Sequence, residues 1–157
     1  MTEFTHFDEK GNAKMVDVSE KEITKREAKA TGVITMSLEC FNLIKEGKHK
    51  KGDVLTVAVV AGVMAAKKTS DLIPMTHNIN LTSVKVNFEE LKEGNGYRVF
   101  SIVNCEGKTG VEMEALTAVN IALLTVYDMC KAVDKKMVIN DIHLLEKHGG
   151  KSGDFYF

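Results

Sequence analysis

The sequence has little of what marks a disordered, fibrous or generally nucleic-acid-binding protein. It contains one proline, no tryptophan and only 6% aromatic residues, whereas 44% of its 157 residues are hydrophobic. This composition is typical of a globular protein, and a chain of this length is expected to build one hydrophobic core. Lys and Arg total 21 against 22 Asp and Glu, so no positive charge excess favours binding to nucleic acid or to an acidic membrane surface.

Long hydrophobic runs and paired cysteines are also missing. The most apolar segment, residues 54–66, has 13 residues, fewer than the about 20 that span a bilayer. The first six residues lack the basic start and apolar run of a signal peptide, so we predict a cytoplasmic protein with no membrane partner. The three cysteines are odd in number and form no CxxC pair. We interpret them as reduced, packed thiols, with a reactive thiol as the less favoured alternative.

Hydrophobic periodicity divides the chain into three parts. Residues 1–25 are polar and are predicted to form a flexible arm, residues 26–148 form the domain, and residues 149–157 form a Gly-rich tail. Within the domain, alternation predicts strands and 3-and-4 spacing predicts helices. In chain order these are a strand at 27–36, helices at 37–45 and 54–67, an irregular loop at 69–80, strands at 83–89 and 97–105, a helix at 111–133 and a strand at 138–145.

This order of elements is that of an α+β, ferredoxin-like split βαβ fold with one extra helix. It predicts an antiparallel four-stranded sheet with the helices packed on one face. The helix at 111–133 carries a core stripe that we extend to Val133, and Ala118, Ile121 and Leu124 add apolar surface outside that stripe. We therefore predict that another subunit covers this helix on a second side.

Asp128 and Lys131 lie three residues apart on one face of the long helix. The ammonium can keep the carboxylate charged, or the two groups can exchange a proton. An exposed ion pair with a small effect on stability is the plainer alternative.

Glu112 and Glu114 open the same helix, where acidic side chains are also favoured simply by the helix dipole. Sixteen residues separate Glu112 from Asp128. At about 1.5 Å per residue the two lie roughly 24 Å apart along the helix. A single site that uses both therefore requires two chains.

The remaining candidates are a histidine and several lysines. His77 follows an apolar segment, where a lone histidine is more often a packed or capping residue than a catalyst, and no HxxxH or HxE pair predicts a metal site. Lys51, beside Gly52 at a predicted helix start, is the preferred phosphate-binding lysine, with a solvated lysine as the alternative. The tail GGKSGD is not a phosphate-binding P-loop, because Leu145 stands where the motif requires glycine.

Seven strings of this sequence, in order, resemble the cyclic pyranopterin monophosphate synthases, also called the molybdenum cofactor biosynthesis protein C family. They are THFD at 5–8, MVDVS at 15–19, KGDV at 51–54, AAKKTSDLIP at 65–74, TGVEMEALT at 109–117, YDMCKA at 127–132 and GGKSGD at 149–154. Together the strings extend over nearly the whole chain.

The resemblance implies a lyase that converts (8S)-3′,8-cyclo-7,8-dihydroguanosine 5′-triphosphate to cyclic pyranopterin monophosphate and pyrophosphate. It implies a homohexamer, a trimer of dimers with sites between subunits, that requires no cofactor and no metal at its site, while Mg²⁺ with the triphosphate is left open. Carried onto this chain, it makes Asp128 the catalytic acid/base, assisted by Lys131 and Lys51. The implied substrate-binding residues are Met75, Thr76, His77, Glu112, Met113, Glu114, Lys67 and Arg26. The alternative is a noncatalytic, oligomeric nucleotide sensor of the same fold.

The substrate loop departs from the family pattern. The family usually has Cys-His-Pro where this chain has Thr76, His77 and Asn78, and a second proline where it has Asn80. Threonine has no thiolate chemistry, so residue 76 is not expected to be a nucleophile. Without the prolines we expect a less rigid loop.

Overall fold

The computed structural model describes residues 4–47 and 53–157, and its helices and strands follow the predicted order. The elements are β1 (Thr24–Thr35), α1 (Leu38–Lys45), α2 (Val54–Lys67), α3 (Thr69–Leu72), β2 (Leu81–Glu90), β3 (Gly96–Gly107), α4 (Glu112–Cys130), β4 (Val138–His148) and β5 (Phe155–Tyr156). Ser37 caps α1 as predicted, since its hydroxyl accepts a hydrogen bond from the backbone N–H of Cys40.

The sheet has the order β2-β3-β1-β4-β5, and all its described pairings are antiparallel. Its first four strands have the ferredoxin-like order, which confirms the predicted fold class. The predicted strand number is wrong by one, because the tail turns back and β5 pairs with the end of β4. Gly149, Gly150 and Gly153 have positive φ in this turn, a conformation that glycine adopts without steric cost.

Small residues on β1 allow α4 to lie very close to the sheet. Ala28, Ala30 and Gly32 are buried on the helix-covered face. A Cβ added at Gly32 would lie 2.8 Å from side-chain carbons of both Val119 and Leu123 on α4. Any larger residue at position 32 would therefore push the helix away from the sheet.

The second side of α4 is covered largely by α2. Ala118 is fully buried, and its carbonyl oxygen lies 3.0 Å from where a Cβ on Gly62 would be. The prediction that Ala118 needs another subunit is therefore wrong, whereas Leu124 is 52% exposed and no described element covers it. Val133 is also not a core residue, because α4 ends at Cys130 and Val133 is exposed.

Helix α4 is, among the described helices, the one long and apolar enough to cross a membrane. In its most apolar stretch 56% of the residues are buried inside the domain. Its hydrophobicity is thus explained by contacts with β1, β3, β4 and α2, as for the core helix of a folded domain.

Two boundaries differ from prediction for local reasons. The predicted loop at 69–80 begins with a helical turn, α3, because the buried Thr69 hydroxyl donates to the carbonyls of Ala65 and Ala66 at the end of α2. Strand β4 continues three residues beyond 145, since its pairing with β1 extends to His148 opposite Glu27.

Candidate active site

A cavity of about 290 Å³ opens between the N-terminal arm, the loop after α3 and the start of α4. Two segments far apart in sequence form most of its polar wall. They contribute six of the predicted substrate-binding residues: Met75, Thr76, His77, Glu112, Met113 and Glu114. The fold thus brings together the two segments that the resemblance assigns to substrate binding.

His77 is held in the cavity wall by the arm. Its Nε2 lies 2.7 Å from the carbonyl oxygen of Val16, so this nitrogen carries the proton and donates it to the arm. In that tautomer Nδ1 is the ring nitrogen that accepts a hydrogen bond. The neighbouring Thr76 hydroxyl donates to the carbonyl of Ile73 at 2.8 Å and so stabilises the turn that carries His77.

The arm contributes residues that sequence reasoning did not assign to the site. Val16, Val18 and Lys21 line the cavity together with Thr5 and His6. The Lys108 ammonium holds the arm by donating to the carbonyl of Ser19 at 2.6 Å. The sequence feature that could have identified these residues is the MVDVS string at 15–19. In it Val16 and Val18 are separated by one polar residue, so that in an extended chain both point to the same side.

Glu114 is a buried carboxyl group in the cavity wall, with only 4% of its surface exposed. Desolvation raises its pKa from 4.5 to about 7, and the nearby charge of Glu112 acts in the same direction. A group with a pKa near neutrality can both donate and accept a proton under cellular conditions. Glu114 is therefore suited to acid/base chemistry in this cavity.

Glu112 is in a different electrostatic environment although it is only two residues away. Its Oε1 lies 3.0 Å from the Lys147 ammonium, which sequence reasoning missed because β4 brings it from the far end of the domain. The carboxylate also folds over Gly110, where an added Cβ would collide with it. Glu112 is thus a paired, charged group, whereas Glu114 is desolvated.

Arg26 lines a second cavity, of about 320 Å³, rather than the first. Its Nε donates to the carbonyl of Gly107 at 3.4 Å, and its guanidinium lies against the backbone of Gly150 in the tail. Lys21 lines both cavities, so the two are neighbours.

Lys67, a further predicted substrate-binding residue, does not line the first cavity. Lys67 lies at the end of α2 in a shallow groove that includes Asn78 and Ile79 of the substrate loop. Lys51 lies outside the described residues.

Asp128 and Lys131 lie near the C-terminal end of α4, whereas the first cavity lies at the start of this helix. The Lys131 Nζ is 2.5 Å from the Asp128 Oδ1, and the two side chains are 54% and 63% exposed, respectively. The hydrogen bond to Asp128 raises the pKa of Lys131. Within one chain the pair thus has the geometry of an exposed ion pair, and it lines neither of the two cavities.

The tail is fastened to β4 by His148. Its Nε2 lies 3.1 Å from Glu146, and its Nδ1 lies 3.3 Å from Asp154 in the tail. The hydrogen bonds to Glu146 and then to Asp154 raise the pKa of His148 above its ordinary 6.5, while Glu146 is also bridged by Lys29 at 3.2 Å.

We expect the tail to loosen as the pH rises through this raised pKa. The attraction of protonated His148 for Asp154 is fully present below pH 6.5 and is lost when the imidazole deprotonates. Hydrogen exchange of the Phe157 amide, which donates to the carbonyl of Leu145, should accelerate over this range beyond its intrinsic pH dependence. Asp154→Asn should remove most of this extra pH dependence; an identical profile in that variant would contradict the prediction.

Over residues 4–47 and 53–157, no group of three His, Cys, Asp or Glu side chains is placed to hold a metal ion. The first cavity thus offers a carboxyl group with a pKa near 7, Glu114, together with the imidazole of His77 and the ion pair of Glu112 with Lys147.

Two comparisons with known proteins found matches to this chain. The MoaC family matches residues 15–150 of the chain. The chain is also 60% identical, over 153 residues, to a protein of Clostridium perfringens (strain 13 / Type A) named cyclic pyranopterin monophosphate synthase. The alignment covers 98% of this chain and 97% of that relative.

Proposed function

The chain belongs to the MoaC family, and from this premise we propose that it is a cyclic pyranopterin monophosphate synthase of molybdenum cofactor biosynthesis. Its substrate is (8S)-3′,8-cyclo-7,8-dihydroguanosine 5′-triphosphate, and its products are cyclic pyranopterin monophosphate and pyrophosphate. The observation that carries the proposal is the cavity that joins the His77 loop to the start of α4, with Glu114 at a pKa near neutrality.

The reaction consists of proton transfers and one phosphoryl substitution. Opening the reduced purine ring and rebuilding it as a pterin move protons on and off nitrogen and oxygen atoms. Groups such as Glu114 and His77 can supply these transfers, each typically worth about 10²- to 10⁴-fold in rate. The oxygen of a ribose-derived hydroxyl then forms a bond to the α-phosphorus while the bond from this phosphorus to pyrophosphate breaks, and the hydroxyl proton passes to a general base of the site. This cyclisation with loss of pyrophosphate is the reaction of a phosphorus-oxygen lyase. Cationic side chains stabilise the charge that develops on pyrophosphate.

We propose that each active site combines two chains. Asp128, as the acid/base, and Lys131 lie roughly 24 Å along α4 from Glu112, too far to meet the same small substrate. In a symmetric assembly the end of α4 from one subunit approaches the cavity of another. Lys51 and Lys67 are assigned to the substrate's phosphates in the same proposal.

Exposed apolar residues support association with further copies. On α2 they share the outward face and are Val57, Val60 and Met64; Leu124 on α4 is exposed in the same way. Single exposed apolar residues are ordinary, but four on two adjacent helices favour a protein interface. We propose a homohexamer built as a trimer of dimers.

Light scattering at micromolar concentration tests this assembly. We expect a mass near six times the 17.3 kDa of one chain. Met64→Lys should shift the protein toward smaller species, because it places a charge within the apolar surface; Lys92→Met, in the turn after β2, serves as control. A wild-type mass equal to one chain would rule out a shared site.

The remaining properties of the proposal concern the cellular setting. The enzyme acts in the cytoplasm on a small nucleotide-derived substrate, without nucleic acid, membrane or resident cofactor. Mg²⁺ enters, if at all, with the triphosphate, and comparison of rates with Mg²⁺ and with a chelator tests this point.

The decisive experiment is incubation with the cyclo-dihydroguanosine triphosphate. We expect stoichiometric release of pyrophosphate and cyclic pyranopterin monophosphate. Binding of the nucleotide without either product would instead favour the noncatalytic sensor, which the family and the named relative do not support.

A further inference from the structure

We propose that Cys40 and Cys130 are a modification site, at which a hydroperoxide forms a reversible disulfide that joins α1 to the end of α4. The three cysteines of the chain are all buried and reduced in this structure. The disulfide itself is independent of the reaction that the protein catalyses, whereas its effect on turnover rests on the proposed function.

The two thiols meet where the start of α1 packs against the last turn of α4. Cys40 is 1% exposed and Cys130 is fully buried, and their side chains form a hydrogen bond with each other. The backbone N–H of Ser37, which caps α1, donates to Asp134 Oδ2 at 2.8 Å just after α4 ends. A sulfur contact and a backbone contact thus hold the same two helix ends together.

Cys105 has different surroundings and is an internal control. Its sulfur lies 3.9 Å from the carbonyl oxygen of Thr109, at the end of β3. The charges that act on it come from Glu114, Arg26 and Glu112 at the first cavity. The pair that geometry places in contact is therefore Cys40 with Cys130.

Helix α1 controls access to both sulfurs. Two of its eight residues, Cys40 and Ile44, are buried, whereas Leu38 at its start is 58% exposed. Short elements with little buried surface open locally without unfolding of the domain. We therefore expect opening of α1 to expose Cys40 and Cys130 while the sheet and α4 remain folded.

Opening also changes the reactivity of Cys40. In the closed structure desolvation raises the pKa of this thiol, and the charges of Asp134 and Glu39 act in the same direction. The hydrogen bond with Cys130 lowers the pKa of Cys40. Contact with water removes the desolvation and leaves the hydrogen bond available, so the open state supplies the thiolate that oxidants attack.

The oxidation proceeds in two balanced steps. The Cys40 thiolate attacks one oxygen of hydrogen peroxide, the O–O bond breaks, and the departing hydroxide takes up a proton to give water and a sulfenic acid on Cys40. The Cys130 sulfur then attacks the sulfenic sulfur, the S–O bond breaks, and a second water leaves with the thiol proton. Two thiols lose two electrons in total, and the peroxide gains them.

The position of Cys130 connects this disulfide to the proposed catalytic pair. Cys130 directly precedes Lys131 and lies two residues after Asp128. A disulfide draws the two sulfurs from hydrogen-bond contact to about 2.05 Å, which pulls the last turn of α4 toward α1. We therefore expect Asp128 and Lys131 to be displaced in the oxidised protein and turnover to fall.

Mass spectrometry after treatment of the intact protein with hydrogen peroxide tests the disulfide. We expect a mass two hydrogen atoms lower, with a peptide that joins residues 40 and 130. Cys105→Ala should form the same product, whereas Cys40→Ala and Cys130→Ala should not, and thermal unfolding checks that each variant folds. A wild-type product that links Cys105, that links two chains, or that retains all three thiols would overturn the proposal.

Ser37→Ala tests the route to the sulfurs. The Ser37 hydroxyl accepts a hydrogen bond from the Cys40 N–H at 3.2 Å, and loss of such a cap shifts a helix equilibrium about fivefold. Disulfide formation should therefore be about fivefold faster in Ser37→Ala. Asp53→Ala removes the corresponding cap of α2, which contains no cysteine, and should react as the wild type does. A rate that Ser37→Ala leaves unchanged would overturn opening of α1 as the route.

Turnover measurements complete the test and separate it from the proposed function. The oxidised wild type should lose kcat at least about fivefold and regain it in dithiothreitol, which does not reverse methionine oxidation. Cys40→Ala should keep its own kcat through the same treatment. A disulfide that leaves kcat unchanged would overturn the effect on turnover. A protein that forms the disulfide but never the cyclic product would remove the synthase and retain the modification site.

Discussion

Replacing Asp128 with Asn is expected to lower kcat at least ~10²-fold while substrate still binds. Asparagine keeps the shape of the side chain and its ability to hydrogen bond to Lys131, but it removes the titrating carboxyl group. Steady-state kinetics should therefore show the loss in kcat, with KM little changed. An Asp128→Asn enzyme with wild-type kcat would return the pair to its plainer role as a surface ion pair.

A matched control is available in the same chain. Lys68 and Asp71 form another exposed ion pair of the same i,i+3 type, at 3.7 Å. Exposed pairs of this kind contribute at most about 1 kcal/mol to stability. Asp71→Asn should therefore leave both kcat and the melting temperature nearly unchanged. Asp128→Asn should likewise leave the melting temperature nearly unchanged, but it should lower kcat.

A mixing experiment tests whether the site is shared. Glu114→Gln and Asp128→Asn chains, each inactive alone, are co-expressed so that subunits combine. Some interfaces then pair an intact Glu114 from one chain with an intact Asp128 from another, and activity should recover in part. Inactive oligomers shown by mass to be mixed would mean that the two residues do not meet across an interface.

Replacing Glu114 with Gln is expected to stabilise the unliganded protein at high pH while lowering turnover at least ~10²-fold. The folded-state pKa of about 7 lies above the unfolded value of 4.5, so the folded state holds its proton more tightly. As pH rises from 4.5 to 7, the free energy of unfolding falls by about 1.4 kcal/mol per unit, up to roughly 3 kcal/mol. Glutamine stays neutral and avoids this loss.

Chemical denaturation at pH 5 and pH 8 measures the effect. The free energy of unfolding of Glu114→Gln should exceed that of the wild type by a small amount at pH 5 and by the largest amount at pH 8. Glu106→Gln, at an exposed carboxyl near the end of β3, should follow the wild-type pH dependence. Equal stability of wild type and Glu114→Gln at both pH values would show that Glu114 is not held in a desolvated site.

The sequence alone determined the order and type of the main elements and the segments that form the first cavity. Strand alternation from 27 to 36, the Ser37 cap and the apolar stripe of α4 are local patterns, formed within a few residues of one another. Such patterns persist in the fold because local backbone geometry fixes which side chains of a strand or helix share a face. The motifs TGVEMEALT and AAKKTSDLIP likewise marked the neighbourhoods of Glu114 and His77 before any contact was known.

Only the tertiary structure decided which side chains meet and which are desolvated. The pairs His77 with Val16, Lys147 with Glu112 and Arg26 with Gly150 join residues 35 or more positions apart. No local period encodes such contacts, because they depend on how strands are ordered in the sheet and where the chain returns. For the same reason the sequence shows two equivalent acids in the first turn of α4. Packing leaves Glu112 ion-paired and Glu114 buried, and it is chiefly this burial that raises the pKa of Glu114 toward neutrality.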